Sequence, residues 1–128
     1  MEHPIKVIFV EAYVPAHAGW KHVLDEHISK CVFVTSVEEL EVALKVNKGI
    51  ELVILAGLGL FAGTHAGTVK DLVSRDLAVI TASGKFNPER QAAGAQRSLD
   101  KMEITSFIKK ELQCYLKNEL LLADLIST

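Results

Sequence analysis

The chain reads as an α/β protein, a doubly wound five-stranded parallel sheet with helices on both faces. Three observations predict it. Short apolar runs, "IKVIFV", "KCVFVT", "IELVILA" and "DLAVITA", lack the in–out alternation of half-exposed strands, as expected for strands covered on both sides. Stretches with helical periodicity separate them. The resulting strand–helix alternation calls for parallel strands joined by right-handed crossovers.

In chain order, the first strand spans residues 5–10 and the first helix about 16–28. The second strand, 30–35, leads to a helix at 36–46. That helix opens on Ser36-x-x-Glu39, a capping box in which each side chain satisfies the other's free backbone N–H. The third strand is 50–56, followed by a helix at 66–74. The fourth is 76–82, followed by a helix at 88–94 with Asn87 as cap and Pro88 at the first helical position. A short fifth strand falls near "RSLD". A long last helix is expected from about 103 to 124.

Composition narrows the function classes. A chain of 128 residues, 49% apolar, makes one domain, here 1–128, that buries roughly two-thirds of its unfolded surface. The formal charge of −2, from 14 basic and 16 acidic side chains, gives no general reason to bind nucleic acid or anionic lipid. Cys31 and Cys114 lie far apart in apolar settings and read as reduced thiols, which suits a cytoplasmic location. The apolar run near the N-terminus is too short for a signal or a membrane span. No repeat or flexible linker marks a second folding unit.

The stretch "LAGLGLFAGTHAG" poses the sharpest question. Gly57-x-Gly59-x-x-Ala62 fits the dinucleotide fingerprint, but that fingerprint belongs at the first strand and needs an acidic residue ending the second. Here the glycines follow the third strand. The loop runs on through Gly63, Thr64, His65 and Gly67, and no Gly-Lys-Ser/Thr follows to make a phosphate loop. Flexible residues turning a strand into its crossover explain them more simply. The spacing of His17, His22 and His27, five apart, does not place zinc ligands on one helix face, and surface or half-buried histidines are expected. No Ser-His-Asp or Cys-His set is apparent, so an enzyme is disfavoured.

In a doubly wound sheet, sites lie beyond the carboxyl ends of the strands. Glu11, Ala56, Thr81 and Asp100-Lys101 hold those ends. With "KVIFVEAY", "ELVILAGLGLFAGTHAG", "VITAS" and "QAAGAQRSLDK" in this order, the chain resembles the receiver domain of bacterial response regulators, the modules of two-component phosphorelays. The resemblance covers nearly the whole chain and implies a flavodoxin-like sheet ordered 2-1-3-4-5. It also implies what is missing. Ala56 stands at the phospho-acceptor position and Ala12 at the second acidic position, leaving Glu11 without the carboxylates that hold Mg²⁺. Thr81 and Lys101 match the family's switch hydroxyl and its lysine. Ser98 replaces the usual aromatic, and Met102 the usual proline.

The expectation is a pseudo-receiver without cofactor or metal, in which Glu11 contacts Lys101 and signalling proceeds by phosphorylation-independent protein–protein interaction. The competing expectation is a small-anion or small-molecule sensor, with Gly57, His65 and Ser83 around the strand-end pocket and helix N-termini favouring negative charge.

The last helix carries more apolar positions than one face can use: Ile104, Phe107, Ile108, Leu112, Tyr115, Leu116, Leu120, Leu122 and Ile126. A second stripe including Tyr115, Leu122 and Ile126 is therefore expected to meet a protein partner or a second copy. Alternatively, Leu121, Leu122 and Leu125 lap over the end of the domain. Heptad-like spacing is interrupted by Glu119, which weakens a coiled-coil reading.

Overall fold

A computed structural model describes residues 4–58 and 63–127. Its sheet has five strands: β1 (Val7–Val10), β2 (Cys31–Val34), β3 (Leu52–Leu55), β4 (Ala78–Thr81) and β5 (Arg97–Ser98). All pair in parallel in the order β2-β1-β3-β4-β5, as the resemblance to receiver domains implies. Val7 lies beside Cys31 on one side and Leu52 on the other, and Leu52 beside Ala78. Every side chain of β1 and β3 is fully buried.

The alternate residues of these strands feed two cores. Val7, Phe9, Leu52 and Ile54 pack with Trp20 and Leu24 of α1 (Val14–Leu24) and with the C-terminal helix. Ile8, Val10, Val53 and Leu55 pack with Leu40 of α2 (Val37–Val46) and with Val69 and Leu72 of α3 (Ala66–Ser74). At about 1.5–3 kcal/mol for each large apolar side chain withdrawn from water, these two layers dominate the folding free energy. On the second face, the sheet is completed by α4 (Asn87–Ala92), which packs beside α3.

Several expected boundaries move, for identifiable reasons. The first helix starts earlier, with Pro15 in its first turn, and stops at Leu24, where Asp25 takes a positive φ of 54°. A 3₁₀ turn, Asp25–Lys30, then leads into β2. The capping box at Ser36 is half formed. Its hydroxyl accepts the Glu39 N–H at 3.1 Å, but the Glu39 carboxylate accepts from the N–H and hydroxyl of Thr35, at 2.6 and 2.8 Å.

The largest correction concerns the last helix. It does not run to 124. Three segments in series, α5 (Ile104–Phe107), a π-type turn (Ile108–Leu112) and α6 (Gln113–Leu116), end at Leu116. Asn118 adopts φ 64°; its N–H donates to Tyr115 O at 3.1 Å, and the Glu119 N–H to Cys114 O at 2.8 Å. This is a Schellman termination with asparagine in the left-handed position. The chain then reverses into a short turn, α7 (Leu122–Leu125), which buries Leu125 completely and seats Leu120, Leu122 and Ile126 against the first core. Leu122 and Leu125 thus lap over the end of the domain, whereas Leu121 is 72% exposed.

Candidate functional site

The carboxyl ends of β1, β3 and β4 and the turn after β5 bring Glu11, Ala56, Thr81 and Lys101 to one end of the sheet. Glu11 is buried. Its carboxylate accepts the Tyr13 N–H at 3.1 Å and the Gly57 N–H at 3.2 Å, and Lys101 Nζ stands 3.8 Å from Oε1. The expected pair is thus brought together. Lys101 is nevertheless 58% exposed on its side chain. Gly57 is needed for room: a Cβ there would lie 2.9 Å from Glu11 Oε2 and 3.0 Å from Lys101 Nζ. Of the fingerprint residues, Gly59 and Ala62 fall outside the described residues.

The dominant group at this end was not anticipated. Arg90, on α4, is only 1% exposed, and its guanidinium lies across the ends of β3 and β4. Nη1 donates to Leu55 O at 2.8 Å, to Ala56 O at 3.0 Å and to the Thr81 hydroxyl at 3.2 Å; Nε donates to Thr64 O at 2.9 Å. Burial pushes its pKa down to about 10, opposed by the charge of Glu11, so the group remains a cation at neutral pH. Carbonyl and hydroxyl oxygens are suitable acceptors for a donor-only side chain, but they supply no neutralising charge.

Asn87 does not cap α4. Phe86 occupies that position. The Asn87 amide is buried instead, accepting from the Thr81 hydroxyl at 2.8 Å and the Ser83 N–H at 2.9 Å and donating to Leu99 O at 2.9 Å. Thr81 therefore spends its hydroxyl proton on Asn87 and its lone pair on Arg90. Asn87 and Arg90 are three residues apart, hence on one helix face. That spacing, in "NPER", was the sequence signal available for this polar cluster.

A cleft of ≈ 460 Å³ opens here, lined by Glu11, Tyr13, Gly57, Ser83, Lys85, Phe86, Arg90 and Lys101 among others. His65 is not part of its wall, which corrects the expected pocket. The residue adopts φ 59° ahead of α3, and its Nδ1 lies 3.4 Å from Thr68 Oγ1. Its Nε2 is buried with no hydrogen-bond partner among the described residues. Burial, then the charge of Arg90, holds its pKa below the usual histidine value. His17 is buried as well: its Nε2 lies 2.7 Å from Glu11 O and its ring packs on Trp20 and Phe33. Among the described residues, no three His, Cys, Asp or Glu side chains are grouped to hold a metal ion.

The residues expected to form an interaction stripe are placed otherwise. Tyr115 is 4% exposed and donates its hydroxyl to the Glu51 carboxylate, so it is part of the core. Leu122 and Ile126 are half-buried against that same core. Tyr13, Val14 and, at 94%, Met102 are exposed in or beside the loops that line the cleft. Among the described residues, no helix is long and apolar enough to cross a membrane.

No family model and no curated protein matches the chain. Solved structures do. The chain is similar to the receiver domain of the Saccharomyces cerevisiae response regulator Ssk1, in co-crystals with the histidine phosphotransfer protein Ypd1, at 17% identity and a TM-score of 0.65 over 98% of each chain. It is also similar to the non-phosphorylated receiver domain of the stress response regulator RcsB from Escherichia coli, at 16% identity and a TM-score of 0.61 over 91% of this chain and 96% of that one. The receiver domain of RcsB from Salmonella enterica serovar Typhimurium, in the presence of the phosphomimetic BeF₃⁻, gives 15% identity and a TM-score of 0.64 over 93% of each. At these identities the likeness establishes the fold, which is that of receiver domains.

Proposed function

We propose that the chain is a receiver-like signalling module that acts by binding a partner protein, without enzymatic activity and without accepting a phosphoryl group at the strand-end site. One observation carries this reading. Where a receiver would present a carboxylate to react, this chain has the methyl group of Ala56, and the guanidinium of Arg90 is hydrogen-bonded to that residue's own carbonyl and to Thr81. A methyl group can neither attack phosphorus nor ligate Mg²⁺, and a fixed cation disfavours a divalent ion beside it. Thr81, with both sides of its hydroxyl engaged, is not free to follow an incoming phosphoryl oxygen.

Information then has to pass through contact. The exposed apolar residues Tyr13, Val14 and Met102 ring the strand-end loops, and this is the surface we assign to the partner. The likeness to a receiver domain crystallised with a phosphotransfer protein supports a protein as the binding class. Pairing through the C-terminal helix is less favoured, because Tyr115, Leu122 and Ile126 are engaged by the domain's own core. A cytoplasmic setting fits two cysteines left unpaired, Cys31 buried with its thiol pushed up to about 12.

The decisive test is intact-mass spectrometry after incubation with a small phosphodonor and Mg²⁺. We expect an unmodified mass. A stoichiometric phosphoryl adduct that is lost in alkali would overturn the proposal.

A further inference from the structure

We infer that the strand-end cleft is a receptor for a small organic oxyanion, a carboxylate or phosphate carried on an apolar body. The inference goes beyond protein docking and does not depend on it. The chain as a whole carries a formal charge of −2, yet the cleft wall contains Arg90, Lys85 and Lys101 against the single carboxylate of Glu11. A cationic cleft in an acidic chain concentrates anions locally.

Glu11 offsets only one of these three charges, with Lys101 alongside it at 3.8 Å. Arg90 is almost completely buried and lines the cleft, and the four acceptors that its Nε and Nη1 reach are all neutral oxygens. An oxyanion in the cleft would bring the counter-charge that these oxygens lack. Lys101 and Lys85, both exposed, can swing toward the same ligand.

The size of the cleft argues for more than a bare ion. Its ≈ 460 Å³ falls within the range of small-molecule sites, and Tyr13 and Phe86 provide apolar wall beside the cations. An anionic group at Arg90 and an apolar body against these rings would use both parts of the lining.

The test is a titration of the ¹⁵N-labelled protein with inorganic phosphate and, separately, with phenyl phosphate, followed by amide and arginine side-chain resonances. We expect saturable shifts at Gly57, Ser83 and the Arg90 side chain, with phenyl phosphate binding more tightly than inorganic phosphate. The double variant Lys85→Glu/Lys101→Glu changes two exposed residues and should fold, and it should weaken binding about tenfold or more. Arg90→Lys, which keeps the charge but loses the second arm, should weaken it as well; if that variant fails to fold, the lysine pair decides alone. The inference is overturned by any of three results: no saturable shift up to about 10 mM, undiminished binding in the double-lysine variant, or phenyl phosphate no tighter than phosphate.

Discussion

Arg90 and Arg97 lie at two regions of one sheet and have opposite surroundings. Arg97, on β5, makes two parallel hydrogen bonds to the Glu111 carboxylate at 2.7 and 2.8 Å and a third to Leu125 O at 2.7 Å. Hydrogen bonding to Glu111 raises its pKa. The acceptors of Arg90 among the described residues are all neutral, and burial lowers its pKa to about 10. A cation with a matched carboxylate fastens two segments together. A cation buried without one is a more costly arrangement, and such groups mark places where a ligand or a contact completes the balance.

The largest expected effect comes from Arg90→Ala. It strips hydrogen bonds from two strand-end carbonyls, from Thr81 and from Thr64, and should destabilise the fold by about 3 kcal/mol, read from the shift in urea midpoint. A loss below about 1 kcal/mol would mean that relief from burying the charge offsets the broken bonds. Arg97→Ala should cost less, about 1 kcal/mol, because its pair is only partly buried. Its signature should be local: faster hydrogen exchange in α7, which Arg97 holds through Leu125 O, with the sheet unaffected. Equal loss of protection everywhere would erase the contrast.

Gly57→Ala sharpens the comparison at the cleft. The added Cβ meets a lysine that can swing away and a buried carboxylate that cannot easily do so. We expect a loss of about 1 kcal/mol and separation of Lys101 from Glu11, visible as an altered Lys101 Nζ resonance. The smallest effect is pH-linked. The folded His65 binds protons less readily than the unfolded chain, so stability is complete above about pH 6.5 and declines as the pH falls from there toward the folded value. His65→Asn, which tolerates the left-handed backbone, should flatten the midpoint-versus-pH curve below about pH 6.5. An unchanged slope would assign the proton to another group.

The strands were legible because fully apolar runs mark a sheet covered on both faces, and Glu11 and Lys101 could be placed at strand ends from them; the strand order came from the resemblance to receiver domains. Arg90 was not, since a charged residue in a short helix reads as a solvated one until the fold aims it inward. Asn87 was misassigned for a related reason: Asn-Pro is a strong capping signal, and tertiary acceptors outcompeted it. The C-terminal helix was overextended because leucine spacing continues past Asn118, while one left-handed residue is sufficient to reverse the chain. That reversal also returned Leu125 to the core, where the periodicity had suggested an outward stripe.

The position of Arg90 has a consequence for redesign. Introducing aspartate at 56 alone would not rebuild a phosphorylation site, because Ala12 still leaves Glu11 without a second acidic neighbour to hold Mg²⁺, and a fixed guanidinium stands 3.0 Å from the residue 56 carbonyl oxygen. Converting this module into a phosphorylatable one therefore requires at least two coordinated exchanges, one to supply the nucleophile and one to supply the missing ligand.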